Sequence, residues 1–142
     1  NLPPVPTELT AIDPLFLIDE YTASYGRKIV TAYNNYTWTD SLNNKIDQWG
    51  KENICPDMYY AFQIMTGEMP THKDRVTKTK LNYLITTGGD NVITKFYNED
   101  QVTELSSYCI PANKWHILKV DMYHDVTGIT NNVRFSITGK IF

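Results

Sequence analysis

The side chains in this chain with the clearest chemical potential fall in two short stretches. Residues 121–136, DMYHDVTGITNNVRFS, carry a histidine, an arginine and a serine at His124, Arg134 and Ser136. Arg134 and Ser136 are two apart, so on a β-strand both point one way while Val133, Phe135 and Ile137 point the other. An apolar stripe backed by a guanidinium and a hydroxyl is costly to bury unless the polar face holds an anion. The second stretch, Pro70-Thr71-His72-Lys73-Asp74, again sets an imidazole and a carboxylate two apart, on one face if the backbone is extended. Together with His124 these make two imidazoles and one carboxylate. Such a set takes one face of an octahedral metal and leaves three positions open for other ligands.

The pattern His72-x-Asp74, then His124 fifty-two residues after His72, then Arg134 ten residues on with Ser136, resembles the Fe(II)/2-oxoglutarate-dependent dioxygenase superfamily over roughly residues 58 to 142. The resemblance implies a double-stranded β-helix, the cupin-like jelly roll. It further implies that His72, Asp74 and His124 hold Fe(II), with ascorbate as reductant, and that Arg134 and Ser136 receive the distal carboxylate of 2-oxoglutarate. Arg134 suits that role because its planar fork binds a carboxylate in bidentate fashion. The activity implied is hydroxylation of a C–H bond coupled to conversion of 2-oxoglutarate to succinate. The small size resembles prolyl- and aspartyl-hydroxylase-like members, which act on peptide or protein side chains.

Other residues compete for roles in this scheme. His116 is the rival distal ligand, but it follows Trp115 in an apolar run and reads as a core or edge histidine. Asn82 and Leu84 share strand parity with Asp74 while Leu81, Tyr83 and Ile85 face the other way, so Asn82 is a candidate cosubstrate contact. Tyr83 and Tyr97 are weaker candidates for the same role. Lys73, Arg75, Lys78, Lys80 and Lys95 read as a solvated face, with an acidic or nucleic-acid substrate as the alternative. A Cys109/His116 nucleophile pair has no third group to orient it.

These residues need a scaffold, and the composition favours strands. Ten Tyr, three Trp and five Phe suit pleated, half-buried surfaces. A chain of 142 residues buries roughly two-thirds of its unfolded surface, enough for one core. The expectation is therefore a single mainly β domain, with an arm and supporting helices in residues 1–57 and a jelly-roll core in 58–142. A net charge of -3 argues against a nucleic-acid coat held by bulk charge. Cys55 and Cys109 show no paired or metal-ligand spacing and read as reduced thiols. With no apolar run long enough to span a bilayer, the chain reads as a soluble cytoplasmic protein without membrane contact. It starts at Asn1, so a removed leader stays open.

Residues 1–13, with Pro3, Pro4 and Pro6, read as an extended arm over the surface. Residues 15–21 fit a helix opened by Asp13-Pro14 or a short buried strand, and 27–38 lean to helix before a turn at Asn34-Asn35. Asn35-Tyr36-Thr37 is formally a glycosylation acceptor, a tripeptide that arises often by chance. Thr39, Asp40 and Ser41 offer caps for a helix over 42–49 that buries Leu42, Ile46 and Trp49 and ends at Gly50. Six strand-like runs follow, at 58–66, 76–87, 91–97, 105–110, 115–126 and 132–142, the longer ones able to bend into two strands. His72 and Asp74 are expected to end a turn and enter the next strand. Gly88-Gly89-Asp90-Asn91 reads as a hairpin turn needing positive φ. Two other functional classes remain open: a non-enzymatic jelly-roll binding or structural module, and a cupin-type metalloenzyme that does not use 2-oxoglutarate.

Overall fold

Strand alternation organises the chain into two antiparallel sheets. The computed structural model describes residues 2–14, 35–37, 44–75, 77–130 and 133–141. The expectations for residues 15–21, for 27–34 and for the caps at 39–41 lie outside them. The larger sheet contains β1 (Asn35–Thr37), β2 (Tyr59–Met65), β4 (Lys80–Thr86), β7 (Trp115–Leu118) and β9 (Arg134–Lys140), in the order β1-β2-β9-β4-β7. The smaller contains β3 (Met69–His72), β5 (Ile93–Tyr97), β6 (Glu104–Tyr108) and β8 (Tyr123–Thr127), in the order β3-β8-β5-β6. From β2 onward every connection except β5–β6 crosses from one sheet to the other. That path is the jelly roll, or double-stranded β-helix.

The main apolar core lies outside this double sheet. Tyr60, Phe62 and Ile64 of β2, Tyr83 of β4, and Phe135 and Ile137 of β9 all project to one face of the larger sheet. There they meet Val5 of the N-terminal arm and Ile46 of the helix α2 (Asn44–Asn53). Phe62 and Phe135 stack with ring centroids 5.3 Å apart. By strand alternation the opposite face carries Gln63, Asn82, Leu84, Arg134, Ser136 and Thr138, all buried. A second, smaller cluster of Met65, Met69, Val92, Val126 and Ile129 lies on the inner side. Polar side chains thus concentrate where a sandwich would ordinarily pack its core.

Several expectations are corrected by these elements. The helix expected over 42–49 is observed over Asn44–Asn53 and runs through Gly50. A Cβ on Gly50 would run into the Tyr60 ring, so this glycine permits close helix–sheet approach and does not end the helix. Asp47 secures the same contact by accepting from the Tyr60 amide at 2.9 Å. The N-terminal arm is not uniformly extended, because Thr7–Thr10 forms the one-turn helix α1. It is docked by Val5 in the core and by Trp115 Nε1 donating to the Pro3 carbonyl at 2.9 Å.

The Gly88 segment has the expected positive φ, 91°, but it is a corner between sheets and not a hairpin. Both edges of β4 are already taken by β9 and β7, so β5 has no edge there to pair with. The run at 115–126 does divide in two, as β7 and β8. Asn35-Tyr36-Thr37 forms β1, paired with β2. No helix among the described residues is long and apolar enough to cross a membrane.

Candidate metal and anion site

His72 closes β3 and lies directly opposite His124 on β8. The β3–β8 register slips between Met69 and His72. That irregularity aims both Met69 and His72 into the space between the sheets, although they are three residues apart, while Thr71 turns away to donate to Asp125 at 3.3 Å. Asp74 belongs to no strand: the expectation that it enters one is corrected, since β3 ends at His72 and the next strand begins at Lys80. Its backbone is held by an amide hydrogen bond to the Val120 carbonyl at 2.8 Å, which ties the loop to the β7–β8 turn. A bulge and a loop anchor therefore bring the two side chains together, where sequence spacing suggested shared strand parity.

The donor atoms converge. His72 Nε2 lies 3.6 Å and His124 Nε2 3.9 Å from Asp74 Oδ1, and the ligand atoms of all three residues fall within 4.8 Å of one another. Each imidazole has its other nitrogen against a backbone carbonyl two residues earlier, His72 Nδ1 to Pro70 at 2.8 Å and His124 Nδ1 to Met122 at 2.7 Å. A carbonyl only accepts, so both Nδ1 atoms carry a proton, which leaves each Nε2, on the Asp74 side, to carry a proton toward the carboxylate or to give its lone pair to a metal. This is the outer support that orients metal-binding histidines.

Electrostatics agree with the geometry. Burial by itself raises the Asp74 pKa, but the His72 hydrogen bond and the charges of Lys80, His124 and Lys140 outweigh it and hold the carboxyl below its ordinary range. Burial pushes His124 down, toward the neutral form, while the Asp74 hydrogen bond raises His72. Two oriented imidazoles and an ionised carboxylate are a donor set that fits a divalent cation.

Arg134 and Ser136 line the same cavity of about 100 Å³, as does Asn82. Arg134 is 6% exposed, its Nη2 donates only a long bond to Thr94 Oγ1 at 3.4 Å, and among the described residues no carboxylate pairs with it. Burial pushes its pKa down to about 10. The Asn82 Oδ1 atom is buried with no hydrogen-bond partner among the described residues. Val133, Phe135 and Ile137 face away into the outer core, as alternation requires.

The other candidates sit elsewhere. His116, on edge strand β7 opposite Asn82, lines a separate outer groove of about 610 Å³ with Cys109. Among the described residues, that groove shares only Phe96 and Leu118 with the cavity of the His72/Asp74/His124 trio. Tyr83 packs in the outer core against Trp115, with centroids 5.0 Å apart, and Tyr97 donates to Asp125 at 2.7 Å. Lys73 and Lys95 pair with Glu99 and Glu104 on the surface.

Thr94 and Lys140 escaped the motif reading, and the solvated-face reading of Lys80 is corrected. Thr94 projects from β5 to the Arg134 fork, and Lys80 and Lys140 line the cavity beside Asp74. Lys80 retains partial surface, yet its ammonium end is enclosed, and burial together with Lys140 and Arg134 pushes its pKa to about 8 against the opposing pull of Asp74. Lys140 continues the parity of Arg134 and Ser136, which is the sequence signal that marks it.

No family model matches the sequence, and no curated protein matches it. Among solved structures the chain is similar to a recombinant oxalate oxidase in complex with glycolate, at 12% identity and a TM-score of 0.49, covering 78% of this chain and 52% of that one. It is similar to an oxalate decarboxylase at 13% identity and 0.48, covering 82% and 28%. It is also similar to Fe(II)-HppE with the alternative substrate (S)-1-HPP, at 9% and 0.44, covering 61% and 43%. The chain thus spans about half or less of the length of these structures. The chemistry of this chain is carried by its own residues.

Proposed function

We propose that this chain is an Fe(II)- and 2-oxoglutarate-dependent dioxygenase that hydroxylates a C–H bond on a peptide or protein side chain. The observation that carries the proposal is a buried guanidinium, Arg134, without a carboxylate partner among the described residues, in the same cavity as the oriented His72/Asp74/His124 trio. A trio alone suits many metalloproteins. An unpaired buried cation beside it calls for an anionic co-ligand, because isolated buried charge is strongly disfavoured.

His72 and His124 would hold iron through Nε2 and Asp74 through its carboxylate. Bound iron supplies the redox chemistry by which dioxygen, 2-oxoglutarate and a C–H bond become succinate, carbon dioxide and an alcohol. Two electrons come from the oxo acid and two from the C–H bond. Ascorbate serves to keep the iron reduced. The fork of Arg134 receives the distal carboxylate and the Ser136 hydroxyl donates beside it, fixing the diacid at the end remote from the metal ligands. Asn82 adds a third polar group to that wall. Phe96, Leu118 and Val120 close the cavity with apolar surface, which limits water around these charges.

The test is anaerobic addition of Fe(II) and 2-oxoglutarate, followed by oxygen and ascorbate. A visible charge-transfer band that needs both additions, then succinate formation, is the expected result. A folded, iron-loaded sample with neither band nor succinate would sink the proposal and leave a jelly-roll metal site with another use.

A further inference from the structure

Lys80 and Lys140 are direct cross-strand partners on β4 and β9, and both line the metal cavity. Like charges placed opposite each other destabilise a sheet unless something lies between them. Among the described residues neither lysine has an ion-pair partner. The nearest offset is Asp74, which feels both of them. Once Asp74 is committed to a metal, that offset is gone.

The charge in the cavity points the same way. Its lining holds three cations, Lys80, Arg134 and Lys140, against one carboxylate, Asp74. A divalent ion adds two positive charges and a dicarboxylate removes two, so the loaded cavity stays cationic. The cations are anchored at separate points along β9. Arg134 and Lys140 are six residues apart on β9, about 20 Å between Cα atoms in an extended strand. Arg134 reaches Thr94, whereas Lys80 acts on Asp74, His72 and His124 and Lys140 acts on Asp74, so the lysine pair sits at the trio. Among the described residues, the outer groove that meets the cavity at Phe96 and Leu118 is lined by no acidic residue and adds Lys119.

We infer that Lys80 and Lys140 form a second anion site, six residues along β9 from Arg134, which holds a carboxylate of the primary substrate. The substrate class is therefore an acidic molecule, either a small free acid or an acidic side chain in a peptide. This deepens the dioxygenase reading and rests on it for the identity of the co-ligand at Arg134.

The experiment titrates protein loaded with Mn(II) and saturating 2-oxoglutarate with two matched pairs of probes, followed by NMR. Butyrate against butyramide represents a free acid, and capped glutamate against capped glutamine represents a peptide side chain. At least one carboxylate should bind about tenfold more tightly than its amide, as a charge-assisted pair predicts. The pair that shows the preference identifies the source.

Lys80→Gln and Lys140→Gln should each reduce that preference severalfold, and the double variant should abolish it, with 2-oxoglutarate affinity unchanged. Removing one of two opposed like charges relieves repulsion, so each single variant should melt no lower than wild type, with Lys80→Met as a further variant. Equal binding of acid and amide, or a preference that survives the double substitution, overturns the inference. Loss of 2-oxoglutarate affinity in the lysine variants overturns it too, because the pair would then hold the cosubstrate. The titrations are repeated with Mn(II) alone. Failure of 2-oxoglutarate to bind wild type while the lysine-dependent preference persists removes the dioxygenase reading and keeps the lysine site.

Discussion

Replacing Arg134 separates a 2-oxoglutarate enzyme from any other user of the same metal ligands. Arg134 is 6% exposed, and among the described residues its guanidinium makes one hydrogen bond, to Thr94, long at 3.4 Å, so most of its donor capacity remains for a ligand. A hydrogen bond to a charged group contributes about 1.5 to 3 kcal/mol. Loss of the fork in Arg134→Ala should therefore weaken 2-oxoglutarate by about tenfold to a thousandfold or more. Arg134→Lys keeps the charge without the fork and should fall between the two. Metal affinity should barely change, since Arg134 is not among the charges acting on His72, Asp74 or His124. The assay is calorimetric titration of 2-oxoglutarate into Mn(II)-loaded wild type, Arg134→Lys and Arg134→Ala, with Mn(II) affinity measured alongside. Equal 2-oxoglutarate affinity in wild type and Arg134→Ala would refute the reasoning and leave a metal-binding jelly roll with an unexplained buried cation.

Two further expectations test other links. His124→Ala should abolish Fe(II) or Mn(II) binding while His116→Ala leaves it intact, because His116 lies on β7 outside the convergent donors; the reverse result in a metal titration would show the ligand assignment to be wrong. Gly50→Ala should destabilise the fold by about 1 to 3 kcal/mol through overpacking, since a new Cβ runs into the Tyr60 ring. Urea unfolding with an unchanged midpoint would show that the helix shifts freely and that the glycine has no packing role.

The sequence determined the identity of the chemical groups and much of their facing. Arg134 and Ser136 share a face, opposite Val133, Phe135 and Ile137, because period-two alternation is a local property of any strand and needs no knowledge of the fold. The same rule set Asn82 and Tyr83 on opposite faces, although it counted their parity from Asp74, which belongs to no strand, and the alternating runs with Gly and Pro between them indicated a β architecture. Helix α2 was legible from Ile46 and Trp49, but its end was not. Gly50 looks like a stop signal in isolation, and only the Tyr60 ring packed against it reveals that the missing Cβ is needed mid-helix.

What tertiary structure decided is how these groups meet. Parity was the wrong reason for pairing His72 with Asp74: an irregularity in β3 aims the histidine inward, and the Val120 carbonyl holds the aspartate's loop against a distant turn. The glycine corner at residues 88–91 looks like a hairpin in sequence. It becomes a sheet-to-sheet crossing only because β9 and β7 already occupy both edges of β4. Lys80 and Lys140 are sixty residues apart in sequence, and nothing local marks them as partners until β4 and β9 pair in register. Turn type, strand register and cross-strand charge are non-local quantities, set by which edges remain free when the sheets close. Residue chemistry and strand facing are local, and a single sequence carries them unaided.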